Sequence, residues 1–417
     1  MTTLASSAHA AAPLVVRSTE VETPDSLMSL LPRHSPLSWV HRGDGLVAWG
    51  ETARFECGGP DRFETASRWW RELTRHSVAR DEVDVPGSGL VCFGSFGYAD
   101  TPGRSVLVVP EVVVGRRGSR AWVTTISAGA LPAAPALRPQ EPFVTPTGAV
   151  FTDGAQSGAS WGLAVAEAVR RIRAGRLDKV VLARDLIAQL DEPLDVRSAL
   201  AWLADRYPSC WTFNVDGLFG ATPEMLVRRE RGLVTSRVLA GTIRRTGDDA
   251  SDLALAATLA RSSKDLEEHE FAVRSVADAL APYCTSMNVP ESPFVLHLPN
   301  VMHLATDVTG VLDGPASALE LAAALHPSAA VGGTPTREAV ALIAELEQMD
   351  RGRYAGPVGW MDADGDGEWG IALRSAEYDG ARVRLFAGCG IVADSDPESE
   401  LAEAAAKFVP VRDALTP

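Results

Sequence analysis

The sequence predicts an α+β fold built on large antiparallel sheets, and three observations point to it. Residues 37–123 read as short alternating runs separated by glycine-rich turns (Gly87, Gly89, Gly94, Gly97, Gly103), the pattern of half-buried strands joined tightly. Beyond residue 150, helical and strand patterns follow one another without a βαβ rhythm, and no GxGxxG opens a doubly wound nucleotide fold. A chain of 417 residues that is 46% hydrophobic and 22% charged has the composition to bury a large core.

Taken in order, residues 1–30 carry an alanine-rich run (Ala10, Ala11, Ala12) without the basic start and long apolar stretch of a secretory signal, so a disordered tail is expected. The meander at 37–123 is interrupted by a helix at 61–75. Residues 131–146, rich in Ala and Pro, show no periodicity and read as a long connection, either between domains or across the surface of one. Helices are then expected at 161–174, 197–205, 252–283, 316–325, 337–349 and 398–415. Strands are expected at 179–189, 210–215, 225–230, 233–238, 302–312, 358–361, 368–378 and 381–387. No tandem repeat is visible.

Charge and cysteines narrow the function classes. A net charge of -15, without a basic stripe interleaved with aromatics, argues against a nucleic-acid partner. The same field repels a small dianion, so an anionic substrate would need cations placed locally, a metal ion included. The five cysteines (Cys57, Cys92, Cys210, Cys284, Cys389) are odd in number and scattered, without CxxC spacing, and fit reduced core residues of a cytoplasmic protein. No segment reaches the roughly 18 uninterrupted apolar residues of a membrane span.

Several segments carry residues suited to chemistry. In DKVVLAR (178–184), Lys179 opens an apolar strand; burial and nearby cations would disfavour its ammonium form and suit it to general-base work, while the plain alternative is a lysine snorkelling from a strand end. In GATPE (220–224), a proline-bearing turn sets Glu224 ahead of an apolar strand, where a raised pKa would make it a proton donor; otherwise it is a solvated turn residue. Gly241 and Thr242 sit in LAGT (239–242), where glycine admits close backbone approach of a ligand or simply makes a turn. Ser262 and Asp265 fit the start of a helix carrying Glu267, Glu268, His269 and Glu270, and a helical wheel puts Glu270 nearer the apolar face than Glu268. Glu400, Glu403 and Lys407 share one face of the last helix, with Ser395 and Glu398 spaced as a capping box; that face either holds a hard cation and an anion or is simply solvated. Asp362, Asp364 and Asp366 mimic a calcium loop, but Leu373 stands where its bidentate glutamate belongs, so a hairpin turn is expected.

Read together, these segments resemble the chorismate-utilising enzymes, the family of isochorismate, salicylate, anthranilate and aminodeoxychorismate synthases. The resemblance runs collinearly from about residue 159 to 415 through DKVVLAR (178–184), GATPEML (220–226), LAGTIRR (239–245), SSKDLEEHE (262–270), MHLATDV (302–308), LHPSAAVGGTP (325–335), DRGRYAGPVGWMDADGDGEW (350–369) and FAGCGIVADSDPESE (386–400). It implies an α/β sandwich of two pseudo-symmetric antiparallel halves with helices outside. Residues 31–417 would then form one catalytic domain, with a divergent front half to residue 150 and the motif-bearing region from 151.

By the same resemblance, Lys179 matches the lysine that activates water and Glu224 the acid that protonates the departing C4 hydroxyl. Glu268 and Glu403 match magnesium ligands, with Glu400 close by and acting through water. Gly241, Thr242, Arg374, Gly388 and Lys407 match substrate-contacting positions, and His303 and Tyr354 wall residues. Ala240 stands where aminodeoxychorismate synthases carry a nucleophilic lysine. The implied activity is magnesium-dependent conversion of chorismate to isochorismate, feeding menaquinone, siderophore or salicylate synthesis. The alternatives are a salicylate synthase, which adds pyruvate elimination, and an inactive chorismate-binding protein. A monomer without a glutamine amidotransferase subunit is expected.

Overall fold

The computed structural model describes residues 12–130, 135–298 and 301–417, apart from the side chains of Lys264 and Glu268. Among the described residues, thirteen strands form one sheet and ten another. The first runs from Val150–Asp153 through Lys179–Gln189, Arg382–Ile391, Ser375–Asp379, Leu218–Thr222, Trp211–Val215, Leu37–His41, Asp44–Trp49, Val112–Arg117, Arg120–Ala128 and Leu14–Val21 to Val78–Asp81, with Gly333–Thr334 beside Lys179. The second runs from Cys284–Asn288 through Val301–Leu312, Leu233–Arg244, Met225–Glu230, Gly367–Ile371, Pro357–Asp362, Val91–Ser95 and Ser105–Val109 to Ala53–Cys57, with Phe294–His297 also on Val301–Leu312. The pairs are antiparallel except Leu14–Val21 with Val78–Asp81.

The sheets share one apolar core to which Trp39, Trp122 and Phe213 contribute from the first, and Phe93, Trp360 and Trp369 from the second. A tryptophan N–H buried in such a core usually finds an acceptor. Here Trp39 and Trp211 both donate to the Glu368 carboxylate, at 2.7 and 3.2 Å, and Trp122 donates to the Gly87 carbonyl at 3.2 Å. Leu37–His41 pairs with Trp211–Val215, and Val91–Ser95 with Pro357–Asp362, so strands from before and after residue 150 are woven into both sheets.

Some expectations are corrected. Within the tail expected at 1–30, residues 1–11 lie outside the described residues, but Leu14–Val21 is a strand in register with Arg120–Ala128. Leu14, Val16 and Ser18 alternate inward, and Ser18 meets the Thr124 hydroxyl at 2.8 Å; the neighbouring alanine run obscures that two-residue period. The meander is not one sheet, since its strands divide between both. The helix expected at 252–283 is two, Asp249–Leu259 and Ser263–Leu280, because Ser262 stops one and caps the other by accepting from the Asp265 amide. The strand expected at 368–378 breaks into Gly367–Ile371 and Ser375–Asp379, one in each sheet. The last helix is capped by Asp396, with Pro397 in its first turn, rather than by Ser395. The Asp362 turn is the expected hairpin: its carboxylate accepts from the amides of Gly87, Asp364 and Asp366, while Asp366 takes Arg229.

Candidate active site

The chain changes sheets twice at adjacent points. It passes from Leu218–Thr222 to Met225–Glu230 through Pro223 and Glu224, and from Gly367–Ile371 to Ser375–Asp379 through Ala372, Leu373 and Arg374. The crossings are stitched together: the Ile371 amide donates to the Glu224 carbonyl at 3.1 Å, the Thr222 hydroxyl to the Ile371 carbonyl at 2.6 Å, and the Ala221 amide to the Arg374 carbonyl at 3.2 Å. Arg374 takes a φ of 48°, the left-handed conformation that a non-glycine residue adopts only where its surroundings impose it. The backbone thus fixes a carboxylate and a guanidinium at the mouth of the sandwich.

Both side chains wall a cavity of about 410 Å³. Lys179, Gly241, Thr242, His303, Tyr354, Gly388, Glu400, Glu403 and Lys407 line it with them, so eleven of the twelve residues expected from sequence gather there. The twelfth, Glu268, has a side chain outside the described residues, on the helix Ser263–Leu280 whose Asp265 also lines the cavity. Glu270, favoured by the helical wheel, is exposed and pairs with Arg274 at 2.6 Å instead.

Gly241 is the extra residue of a bulge, where pairing with Val301–Leu312 shifts between Ala240 and Thr242, and its φ of 78° suits glycine. The bulge sets Thr242 opposite His303, whose Nδ1 meets the threonine hydroxyl at 2.9 Å. Burial, then Arg374 and Lys407, hold the His303 pKa down to about 3, so the ring is neutral. Its Nε2 is buried without a hydrogen-bond partner among the described residues. Tyr354 is buried and stacks on Phe386 at 5.0 Å.

Glu224 is 7% exposed, and burial raises its pKa to about 8 against the opposing pull of Lys179, Arg374 and Lys407. It therefore holds its proton at neutral pH, the state a general acid needs. On the last helix, Lys407 Nζ reaches the Gly388 carbonyl at 2.9 Å and the Glu403 carboxylate at 2.6 Å. Burial pushes Glu403 up, but Lys407, with Arg374 and Lys179, together outweigh it and the net shift is downward; burial raises Glu400. These two carboxylates form a close group with the Cys389 thiol, their ligand atoms within 4.8 Å of one another. The carboxylate oxygens are hard donors that fit magnesium, whereas burial pushes the thiol up to about 12 and keeps it protonated.

Arg351 also lines the cavity, unforeseen from the sequence although it lies in a quoted motif. Its guanidinium donates to the carbonyls of Val181 and Val331 at 2.8 and 2.9 Å and to Glu347 at 2.9 Å, while Glu347 accepts from the Ala183 amide at 2.7 Å. This buried pair braces the strand that carries Lys179. Removing either partner leaves a buried charge uncompensated, which costs about 3–5 kcal/mol.

A family model described as chorismate binding enzyme matches residues 37–416. The chain belongs to the chorismate-binding enzymes. Over 259 residues it is 38% identical to the isochorismate synthase MenF of Bacillus subtilis, a match spanning 61% of this chain and 55% of that protein. The salicylate biosynthesis isochorismate synthase of Pseudomonas aeruginosa is 34% identical over 441 residues, covering 97% of this chain and 90% of the relative. Among solved structures, the menaquinone-specific isochorismate synthase MenF of Escherichia coli superposes with a TM-score of 0.81 at 26% identity, covering 97% of this chain and 95% of that one. As a chorismate-binding enzyme with two antiparallel sheets, the chain has the fold class expected from its sequence. No helix among the described residues is long and apolar enough to cross a membrane.

Proposed function

We propose that this chorismate-binding enzyme is an isochorismate synthase in which Lys179 removes a proton from the attacking water and Glu224 protonates the departing hydroxyl. The observation that carries the proposal is the pairing of these two groups in one cavity, with the Glu224 carboxyl held protonated by burial. Water adds at C2 of chorismate, the ring double bonds shift, and the C4 hydroxyl leaves as water with the Glu224 proton. The proton taken by Lys179 balances the one that Glu224 gives, so the two groups exchange roles in the reverse direction.

Arg374 and Lys407 supply positive charge for the substrate's two carboxylates, which resolves how a protein of net charge -15 binds a dianion. The Nε2 of neutral His303, without a partner among the described residues, is a hydrogen-bonding group for the bound ring or its side chain. Glu403, with Glu400 beside it, and Glu268 would hold magnesium, which when bound supplies further positive charge for a substrate carboxylate. Ala240 lines the cavity and carries no amine, so a covalent route through a lysine at that position has no nucleophile. The names of the two relatives support isochorismate as the product.

Purified enzyme incubated with chorismate and Mg²⁺ is expected to give isochorismate by chromatography, and EDTA to abolish turnover until Mg²⁺ is restored. Salicylate with pyruvate as the accumulating products would assign the chain to salicylate synthesis. The absence of any product would mark a binding protein.

A further inference from the structure

We infer that Gly390 is a positioning residue for Lys179: the missing side chain at 390 is the space through which the lysine reaches the cavity. This rests on Lys179 being the base proposed above.

The backbone of Lys179 is anchored at the start of its strand. It pairs with Thr334 on one side, where the Asp178 amide donates to the Thr334 carbonyl at 2.8 Å and the Val181 amide to the Gly332 carbonyl at 2.9 Å. On the other side Val181 stands opposite Gly390 and Val180 opposite Ile391. Lys179 and Val181 share a sheet face, two residues apart, so Gly390 is the diagonal cross-strand neighbour of Lys179, within reach of a long side chain. Lys179, Val181 and Gly390 all line the cavity.

A Cβ built at Gly390 would lie 2.8 Å from Lys179 Cε and 3.4 Å from its Nζ. Carbon atoms in contact sit about 3.5–4.0 Å apart, so the lysine chain must leave its path by roughly an ångström. The conformation of Gly390 does not itself demand glycine, since its φ lies outside the left-handed region. Glycine otherwise weakens a strand interior. What the position excludes is therefore a side chain in the path of the lysine. Because the atoms in the way are the far end of a flexible side chain, alanine here displaces the lysine Nζ and leaves the sheet paired.

The test is Gly390→Ala in the full chain, by crystallography and by steady-state kinetics with chorismate and Mg²⁺. The expected structure keeps the strand register and moves Lys179 Nζ, and the expected kinetics show kcat reduced roughly ten- to a hundredfold with KM within about threefold of wild type. An Nζ left in its original place overturns the inference, as does a raised KM at unchanged kcat, which would make Gly390 simply room for substrate. A displaced Nζ with wild-type kcat would leave the seat standing and refute Lys179 as the base, so the two failures are distinguishable. If the single variant fails to fold, Lys179→Ala/Gly390→Ala decides: a folded double variant supports the clash, and an unfolded one contradicts it.

Discussion

Lys179→Ala is expected to lower kcat by about two to four orders of magnitude, the range that a positioned general base contributes. The fold should survive the change. The strand Lys179–Gln189 is held through backbone pairing with Gly333–Thr334 and Arg382–Ile391, and by Arg351 donating to the Val181 carbonyl, none of which uses the lysine side chain. Far-ultraviolet circular dichroism should therefore match wild type while turnover collapses. KM should change less than kcat, since Arg374 and Lys407 still face the substrate. Near-normal turnover in this variant would remove the lysine from the mechanism.

Glu224→Gln is expected to cost a similar factor, about two to four orders of magnitude in kcat, because an amide fills the same buried space without a proton to give. The pH dependence gives the sharper signature. Burial raises the Glu224 pKa from 4.5 to about 8, so the protonated acid is present below that value and wild-type turnover of chorismate should fall as pH rises through it. The glutamine variant should lack that limb. Stability of the wild type should fall over the same range. A carboxyl whose folded pKa lies above its unfolded value stabilises the fold fully below about 4.5 and loses that contribution as pH rises through about 8. The glutamine carries no such penalty, so the less active variant should show the higher Tm at alkaline pH. A wild-type limb that persists in Glu224→Gln would assign the titration to another group.

The second half of the fold was legible where local pattern and tertiary role agree. The strand Lys179–Gln189 and the hairpin around Asp362 formed where the alternation and turn chemistry placed them. Legibility failed where the chain leaves one sheet for the other. Nothing in the period of residues 368–378 marks the break at Leu373 and Arg374, because apolar residues continue across it and only the second sheet accounts for the change of partner. The same holds for the site. Spacing put Glu400, Glu403 and Lys407 on one helix face, but the convergence of that face with Glu224, Arg374 and the Gly241 bulge came from the family resemblance, not from periodicity. Arg351 and Gly390 escaped notice for a common reason: one acts through backbone carbonyls distant in sequence and the other through an absent side chain.

The most direct test of the mechanism follows the oxygen atom. Chorismate converted in water enriched in the heavy oxygen isotope, and sampled early, should give isochorismate carrying one heavy oxygen in its C2 hydroxyl, delivered from solvent with Lys179 as base. Unlabelled isochorismate would mean that the hydroxyl moves within the substrate, and would contradict the roles assigned to both Lys179 and Glu224.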